Sequence, residues 1–306
     1  MKFNFFLILL ILFSCNKNEI MNKPPIAKKN PFKFETHGDI RIDNYHWMRL
    51  SDEQKNSKRP DSQTIDVINY LNSENEYQKL VMKDTEKLQQ KLFDEIKGRI
   101  KKDDSSVPVK INNYYYYSRF EKDKEYPFYC RRHKDKTDEE IMLNVPKMAE
   151  SYDYFSVSGM TVSRNENLLL FGVDTVSRRQ YTLKILDLSN NTLLDDEISN
   201  TTGNGVWAND NKTFFYVKKD PITLRSSQIF KHVIGTPQSE DKLVYEEKDE
   251  TFGCYVSKTK SKKYIIIGSY QTLSTEYRYI DADYPDDNFI IINEREENHE
   301  YSVYHY

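Results

Sequence analysis

Cysteine is scarce in this chain: three residues in 306, too few and too far apart for a disulfide framework or for the paired spacing of a zinc site. Glycine (9) and proline (10) are sparse too, which excludes collagen-like and Gly/Pro-rich disordered chains. The scattered glycines form no phosphate-cradling loop. No charge of one sign predominates. The 45 Lys and Arg nearly cancel the 48 Asp and Glu, leaving −3, so nothing draws the chain in bulk to nucleic acid or anionic lipid. The longest apolar run has nine residues, well short of the roughly 20 that cross a bilayer, so a multi-span membrane protein is excluded. Aromatic residues, in contrast, are plentiful: 23 Tyr, 16 Phe and 2 Trp, 13% of the chain. A disordered chain would have fewer. The length allows about two domains.

The apolar run, Phe5-Phe6-Leu7-Ile8-Leu9-Leu10-Ile11-Leu12-Phe13, follows a single charge, Lys2, and has the length of a secretory h-region. Leu12-Phe13-Ser14-Cys15 resembles the end of a bacterial lipoprotein signal, in which the cysteine becomes the lipidated first residue. Phe13 departs from the usual small or aliphatic residue there, and an ordinary cleaved signal is the competing reading. Residues 1–15 are thus expected to be a signal ending at the lipidation residue Cys15, and residues 16–23 a polar tether. A lipidated Cys15 would hold the protein at a membrane surface without a spanning helix. That implies an exported protein of the bacterial cell envelope, lipid-anchored in the periplasm or at the surface; simple cleavage would leave it soluble in the periplasm. Cys130 and Cys254 lie in strand-like runs and are expected to be buried free thiols.

Residues 24–105 read as an extended and then helical segment. Between Asp61 and Lys101, the residues Ile65, Ile68 and Leu71, then Leu80, Leu88, Leu92 and Ile96, recur at spacings near multiples of three and four, the pattern of one helix face. Ser62 or Thr64 is expected to cap the first helix and Gly98 to end the last. After Lys102 the period changes to two. Tyr114-Tyr115-Tyr116-Tyr117, residues 126–130 and residues 141–145 read as short strands.

From 106 to 306 the strands repeat as a unit. Each copy opens on a polar turn, continues with an apolar strand, crosses a gap and ends in an alternating strand. Leu168, Phe214 and Tyr264 mark successive copies, 46 and then 50 residues apart. One four-stranded propeller blade occupies about 40–50 residues. The apolar and alternating strands are assigned to the inner and middle positions of a blade. The predicted fold is mainly β: a helical segment followed by an incomplete β-propeller of about four blades. Independent hairpins in a sandwich are the competing account. His299-Glu300-Tyr301-Ser302-Val303-Tyr304-His305-Tyr306 alternates like the opening strand of a further blade, so a truncated ring is expected.

Several blocks resemble a known family. Pro24-Pro25-Ile26-Ala27-Lys28-Lys29 and the stretch from His37-Gly38-Asp39 to His46-Trp47-Met48-Arg49 are similar to the start of the oligopeptidase B branch of the prolyl oligopeptidase family of serine peptidases. Ser177-Arg178-Arg179-Gln180-Tyr181, Val206-Trp207-Ala208-Asn209-Asp210, Ile234-Gly235-Thr236-Pro237 and the run from Leu243 to Thr251 continue the resemblance, which ends at His299-Glu300-Tyr301-Ser302. The resemblance implies a seven-bladed propeller joined to an α/β-hydrolase domain, on which the N-terminal helical segment packs. It implies cleavage of short peptides after Lys or Arg by a Ser-Asp-His triad in that hydrolase domain, with the propeller limiting entry.

No Gly-x-Ser-x-Gly nucleophile elbow occurs. Ser158-Gly159 and Gly203-Asn204-Gly205 are only fragments of one, and the family's triad maps beyond Tyr306. No residue therefore receives a catalytic, metal or cofactor role, and the chain alone is expected to be inactive. His37, Asp39, Asp43 and His46 could be drawn as metal ligands but do not share one face of an extended segment. Asp281, Asp283, Asp286 and Asp287 hint at calcium, yet lack the glycine of an EF-hand turn. Arg178 and Arg179 either line a propeller channel or sit in an exposed turn. The tyrosines at 114–117 have no basic groove beside them for base stacking. Two functions follow: the N-terminal and propeller part of an oligopeptidase B-like endopeptidase, acting on short peptides with a C-terminal hydrolase domain as partner, or a non-catalytic propeller binding protein.

Overall fold

The computed structural model describes residues 23–306; Cys15 and the signal and tether expected around it lie outside the described residues, apart from Lys23. The chain divides into two compact units, one ending at Lys101 and one spanning Lys102–Tyr306.

The first unit opens with a hairpin, β1 (Phe32–Thr36) and β2 (Asp39–Asp43). Its turn residues His37 and Gly38 both have positive φ, at 53° and 81°, as a tight two-residue turn requires. Three helices follow: α1 (Asp52–Asn56), α2 (Ser62–Met82) and α3 (Glu86–Arg99). Ser51 and Gln54 form a reciprocal capping box on α1. The cap of α2 is Asp61, whose Oδ1 accepts the Thr64 N–H at 2.8 Å. Ser62 and Thr64, the expected caps, are already helical, because Asp61 sits one step earlier in extended backbone with an acceptor in reach. Gly98 does not end α3, which runs on to Arg99 with Ile100 as its C-cap. Only Thr64 and Val67 of α2 are buried. The apolar stripe read from the sequence (Ile65, Ile68, Leu71, Leu88, Leu92, Ile96) forms on these helices as expected but lies exposed, Ile96 at 62%.

The second unit contains four four-stranded antiparallel blades. Blade 1 is β3 (Val109–Ile111), β4 (Tyr114–Arg119), β5 (Phe128–His133) and β6 (Glu140–Asn144), closed by the short helix α4 (Val145–Met148). Blades 2 and 3 form one seven-stranded sheet from β7 (Ser156–Val162), β8 (Leu168–Asp174), β9 (Tyr181–Asp187), β10 (Thr192–Trp207), β11 (Thr213–Lys219), β12 (Ser226–Val233) and β13 (Lys242–Glu246). β10 serves both: its first half pairs with β9, and Gly205 to Trp207 pair with β11. Blade 4 is β14 (Gly253–Lys258), β15 (Tyr264–Tyr270), β16 (Thr275–Asp281) and β17 (Ile290–Asn293).

The repeat marked by Leu168, Phe214 and Tyr264 thus falls on β8, β11 and β15, the second strand of each blade. That corrects the inner-strand assignment. A second strand has a hydrogen-bonded neighbour on both sides and a packed blade on one or both faces, so it becomes a continuous apolar run; the first strand precedes the polar turn and carries a weaker pattern.

Alternation sends successive side chains of a second strand to opposite faces. Leu169, Phe171 and Val173 pack with Met142, Leu143 and Phe155 between blades 1 and 2. Leu170 turns the other way and meets Phe214, Tyr216 and Trp207 between blades 2 and 3. Phe215 and Val217 then join Cys254, Ile265 and Ile267 between blades 3 and 4. Each seam is its own hydrophobic core. Residues 299–306 form no strand, contrary to the alternation in their sequence. They lie along blade 4 instead: the His299 carbonyl accepts the Thr275 N–H at 3.1 Å and the His305 carbonyl the Ser261 N–H at 3.2 Å. The Tyr301 hydroxyl accepts the Tyr277 N–H at 3.1 Å at the β16–β17 bulge. No neighbouring strand supplies the ladder that a strand needs.

Two features at the blade 2–3 seam generate predictions. Gly203 sits in the β10 bulge with φ +86°, and a Cβ there would lie 2.6 Å from the Tyr181 ring. Gly203→Ala is expected to lower stability by about 1–3 kcal/mol through strain and overpacking, measured by urea unfolding. The second is His232, fully buried between two carboxylates: Nδ1 lies 2.6 Å from Asp241 Oδ1 and Nε2 2.9 Å from Asp196 Oδ1. Burial pulls its pKa down, but the bonds and charges of Asp241 and Asp196 outweigh it and raise the pKa above the ordinary 6.5. Tyr216 and the Gly235 N–H hold the two carboxylates in place. The imidazolium therefore contributes stability in full below about pH 6.5, and this is lost as pH rises through the raised folded pKa. Unfolding followed at increasing pH should show that decline, with a shallower slope in Asp196→Asn; an unchanged slope would contradict the assignment.

Candidate functional site

The first strands of all four blades, β3, β7, β10 and β14, converge on a cavity of 630 Å³. Its walls are mainly apolar, with Ile111, Met160, Val162, Val206 and Trp207 facing in. Trp207 is fixed there by a 3.0 Å hydrogen bond from Nε1 to the Thr161 carbonyl, which joins blades 2 and 3. The turns between first and second strands add Asn112, Arg164, Glu166, Asn209 and Lys262, and β4 adds Tyr116, Tyr117 and Ser118.

Lys258, the last residue of β14, reaches into this wall. Its Nζ donates to the Trp207 carbonyl and to Asn209 Oδ1, both at 2.7 Å. Burial first, then the charges of Lys262 and Arg164, push its pKa down to about 8, against the opposing pull of Asp283 and Asp210. The nearby carboxylates are engaged elsewhere. Glu166 accepts from the Asn113 backbone at 3.0 Å and side chain at 2.9 Å. Asp283 accepts from Arg164 at 3.1 Å and Asn209 at 2.7 Å. Lys258 bonds only neutral oxygens among the described residues.

A second concavity of 450 Å³ lies by Glu247, Glu276, Arg278 and Arg295. Its charges neutralise one another: Arg295 reaches Glu247 at 2.5 Å and Glu276 at 3.6 Å, and Arg278 pairs with Glu276. The Arg295 guanidinium also sits 3.6 Å from the Phe252 ring centroid. This cluster fastens blade 3 to blade 4.

The other residues singled out in the sequence take structural places. Asp39 pairs with Arg41, Asp43 accepts the Tyr45 N–H, and the His46 ring stacks on Phe32 at 4.2 Å. Asp286 pairs with Lys231, and Asp281 accepts the Asp283 N–H. Among the described residues no group of three such side chains is placed to hold a metal. Arg178 and Arg179 lie in the β8–β9 turn and do not line the cavity; Lys219 donates to the Arg179 carbonyl at 2.7 Å. Tyr114 lies under the Arg131 guanidinium at 4.1 Å, and Tyr117 donates to Glu139 at 2.7 Å. Gly159 and Gly203 occupy facing bulges: a Cβ on Gly159 would fall 1.8 Å from the Gly203 carbonyl oxygen. Cys130 and Cys254 are buried free thiols whose pKa burial pushes up to about 12. Lys258 escaped the sequence reading. Its depressed pKa depends on burial and on Arg164, Asp210, Lys262 and Asp283, brought together from four separate turns, which no local pattern announces.

A family model described as "Prolyl oligopeptidase, N-terminal beta-propeller domain" matches residues 24–306. Dipeptidyl aminopeptidase BI of Pseudoxanthomonas mexicana is 37% identical, aligned over 92% of this chain and 40% of its own length. Protease 2 of Moraxella lacunata is 31% identical, over 93% of this chain and 41% of its own length. The structure of oligopeptidase B from Leishmania major superposes with a TM-score of 0.80 at 30% identity, covering 93% of this chain and 41% of that one. The chain thus spans about two fifths of the length of the curated relatives it matches.

Proposed function

Since the chain belongs to the prolyl oligopeptidase family through that family's N-terminal propeller domain, we propose that it is the propeller-bearing part of an oligopeptidase B-like serine peptidase. In this reading the complete protein hydrolyses short peptides after Lys or Arg. An α/β-hydrolase domain outside this chain supplies serine, histidine and aspartate, and acyl transfer proceeds through them. The 306 residues alone are inactive; they gate substrate entry and dock the hydrolase domain. The observation that carries the reading is the collinear match over residues 24–306, together with about 40% coverage of peptidase relatives. The exposed stripe of Leu88, Leu92 and Ile96 on α3 is the surface that the hydrolase domain would cover.

Removal of dipeptides is a second reading, favoured by the name of the relative at 37% identity. The non-catalytic binding protein is the third. Outside the described residues, Cys15 is proposed to carry the lipid that holds the mature protein in the cell envelope.

Assay of the product of the complete reading frame separates these readings. The expected result is cleavage of N-terminally blocked peptides after Lys and Arg, abolished by a serine-directed inhibitor. Activity confined to free N-termini would select dipeptide release, and an inactive, monomeric product with one sharp unfolding transition would select the binding protein. Leu92→Asp is expected to reduce the peptidase rate by about tenfold or more through lost docking, since an interface residue of this size contributes on the order of 1–2 kcal/mol. Unfolding of the propeller unit should not change. Radiolabelled fatty acid should enter the wild-type chain and not Cys15→Ser; equal labelling of both would remove the anchor proposal.

A further inference from the structure

The cations of this cavity are matched in number by the carboxylates Glu166, Asp210 and Asp283 around it, but none of the three bonds Lys258. Three cations, Arg164, Lys258 and Lys262, stand at its wall and mouth. Of these, Arg164 is paired with Asp283, and Glu166 is occupied by Asn113. Lys258 holds its charge in a partly buried position against two neutral oxygens. An ammonium has three donors; the Trp207 carbonyl and Asn209 take two, and one is left over. The Lys262 amine stands on the adjoining turn.

We propose that this cavity binds the C-terminal carboxylate of a short apolar peptide, with Lys258 as its principal partner and Lys262 at the rim. The inference rests on the peptide-handling reading above for the identity of the ligand. The remaining Lys258 donor and the Lys262 amine suffice for one carboxylate. Ile111, Met160, Val162, Val206 and Trp207 line the volume beside Lys258 and would enclose an apolar side chain, the usual composition of a small-molecule site. In this proposal the cavity holds one end of the peptide and fixes how far the peptide enters.

A pH dependence follows. Facing Lys258 are Lys262 from the β14–β15 turn, Arg164 and Glu166 from the β7–β8 turn, Asp210 from the β10–β11 turn and Asp283 from the β16–β17 turn; Tyr116 and Tyr117 of β4 also line the cavity. Burial holds both tyrosines up at about 12, and so neutral. With Lys258 titrating near 8, a bound anion raises its pKa and draws in a proton, so carboxylate affinity falls as pH rises past that value.

The test is calorimetric titration of the purified chain with N-acetyl-Leu-Leu as free acid and as C-terminal amide, at constant ionic strength. The free acid should bind about tenfold more tightly near neutral pH, the worth of one charge-assisted hydrogen bond, and the preference should shrink well above the Lys258 pKa. Lys258→Met should abolish the preference, and Lys262→Gln, on the exposed rim, should weaken acid binding a few-fold. Equal binding of acid and amide, no binding at millimolar concentration, or a preference that survives in Lys258→Met would overturn the proposal. If Lys258→Met does not fold, Lys262→Gln and the pH series decide, and an unchanged preference in both overturns it. Octanoate binding as tightly as the peptide acid would assign the cavity to fatty acids and overturn the peptide. No peptide is cleaved in this assay, so its failure leaves the peptidase reading standing, and absent peptidase activity leaves the binding result standing.

Discussion

The structure of the second unit depends on one constraint: a blade whose second strand is apolar on both faces cannot stand alone. Leu169 and Phe171 need blade 1, while Leu170 of the same strand needs blade 3. In β11, Phe214 and Tyr216 face blade 2, and Phe215 and Val217 face blade 4. Each such side chain is worth about 1.5–3 kcal/mol when fully buried, so separating two blades would expose several at once. Stability therefore resides in the seams between sheets, as in other repeat architectures.

The polar interior follows the same seams. The His232 pair of carboxylates joins the fourth strand of blade 2 to blade 3, and the Glu247–Arg295–Glu276–Arg278 cluster joins blade 3 to blade 4. Buried charges of this kind add little net stability when paired, yet removing one partner costs several kcal/mol, on the order of 3–5. They penalise misregistered packing more than they strengthen correct packing. Lys258 differs from these charged clusters, because its hydrogen-bond partners are neutral. A cation hydrogen-bonded only to neutral oxygens, at the convergence of four first strands, is what turns a packing void into a candidate site.

Much of this was legible in the sequence, for physical reasons. Period-two alternation and a turn every blade length locate β8, β11 and β15 along the chain, though as second and not inner strands, and the 46- and 50-residue spacing marks whole blades. Helical spacing finds α2 and α3. Local competition was less visible: Asp61 takes the cap from Ser62 because of backbone geometry one residue away. The first strands were missed because two are interrupted by bulges at Gly159 and Gly203, where close backbone approach removes the side-chain pattern. Residues 299–306 alternate like a strand but pack as an extended arm, since alternation specifies which side chains share a face and not whether a ladder partner exists. The cavity was invisible because nothing in Val109 or Lys258 refers to the other.

Native-state hydrogen exchange tests the shared-seam account most directly. Amides of β8 and β11, which have a blade on each face, should exchange through one common opening with the highest protection in the chain, and the outward strands of blades 1 and 4 should open earlier. Distinct opening free energies for β8 and β11, with one fully protected while the other exchanges, would show blades stable on their own and would contradict it.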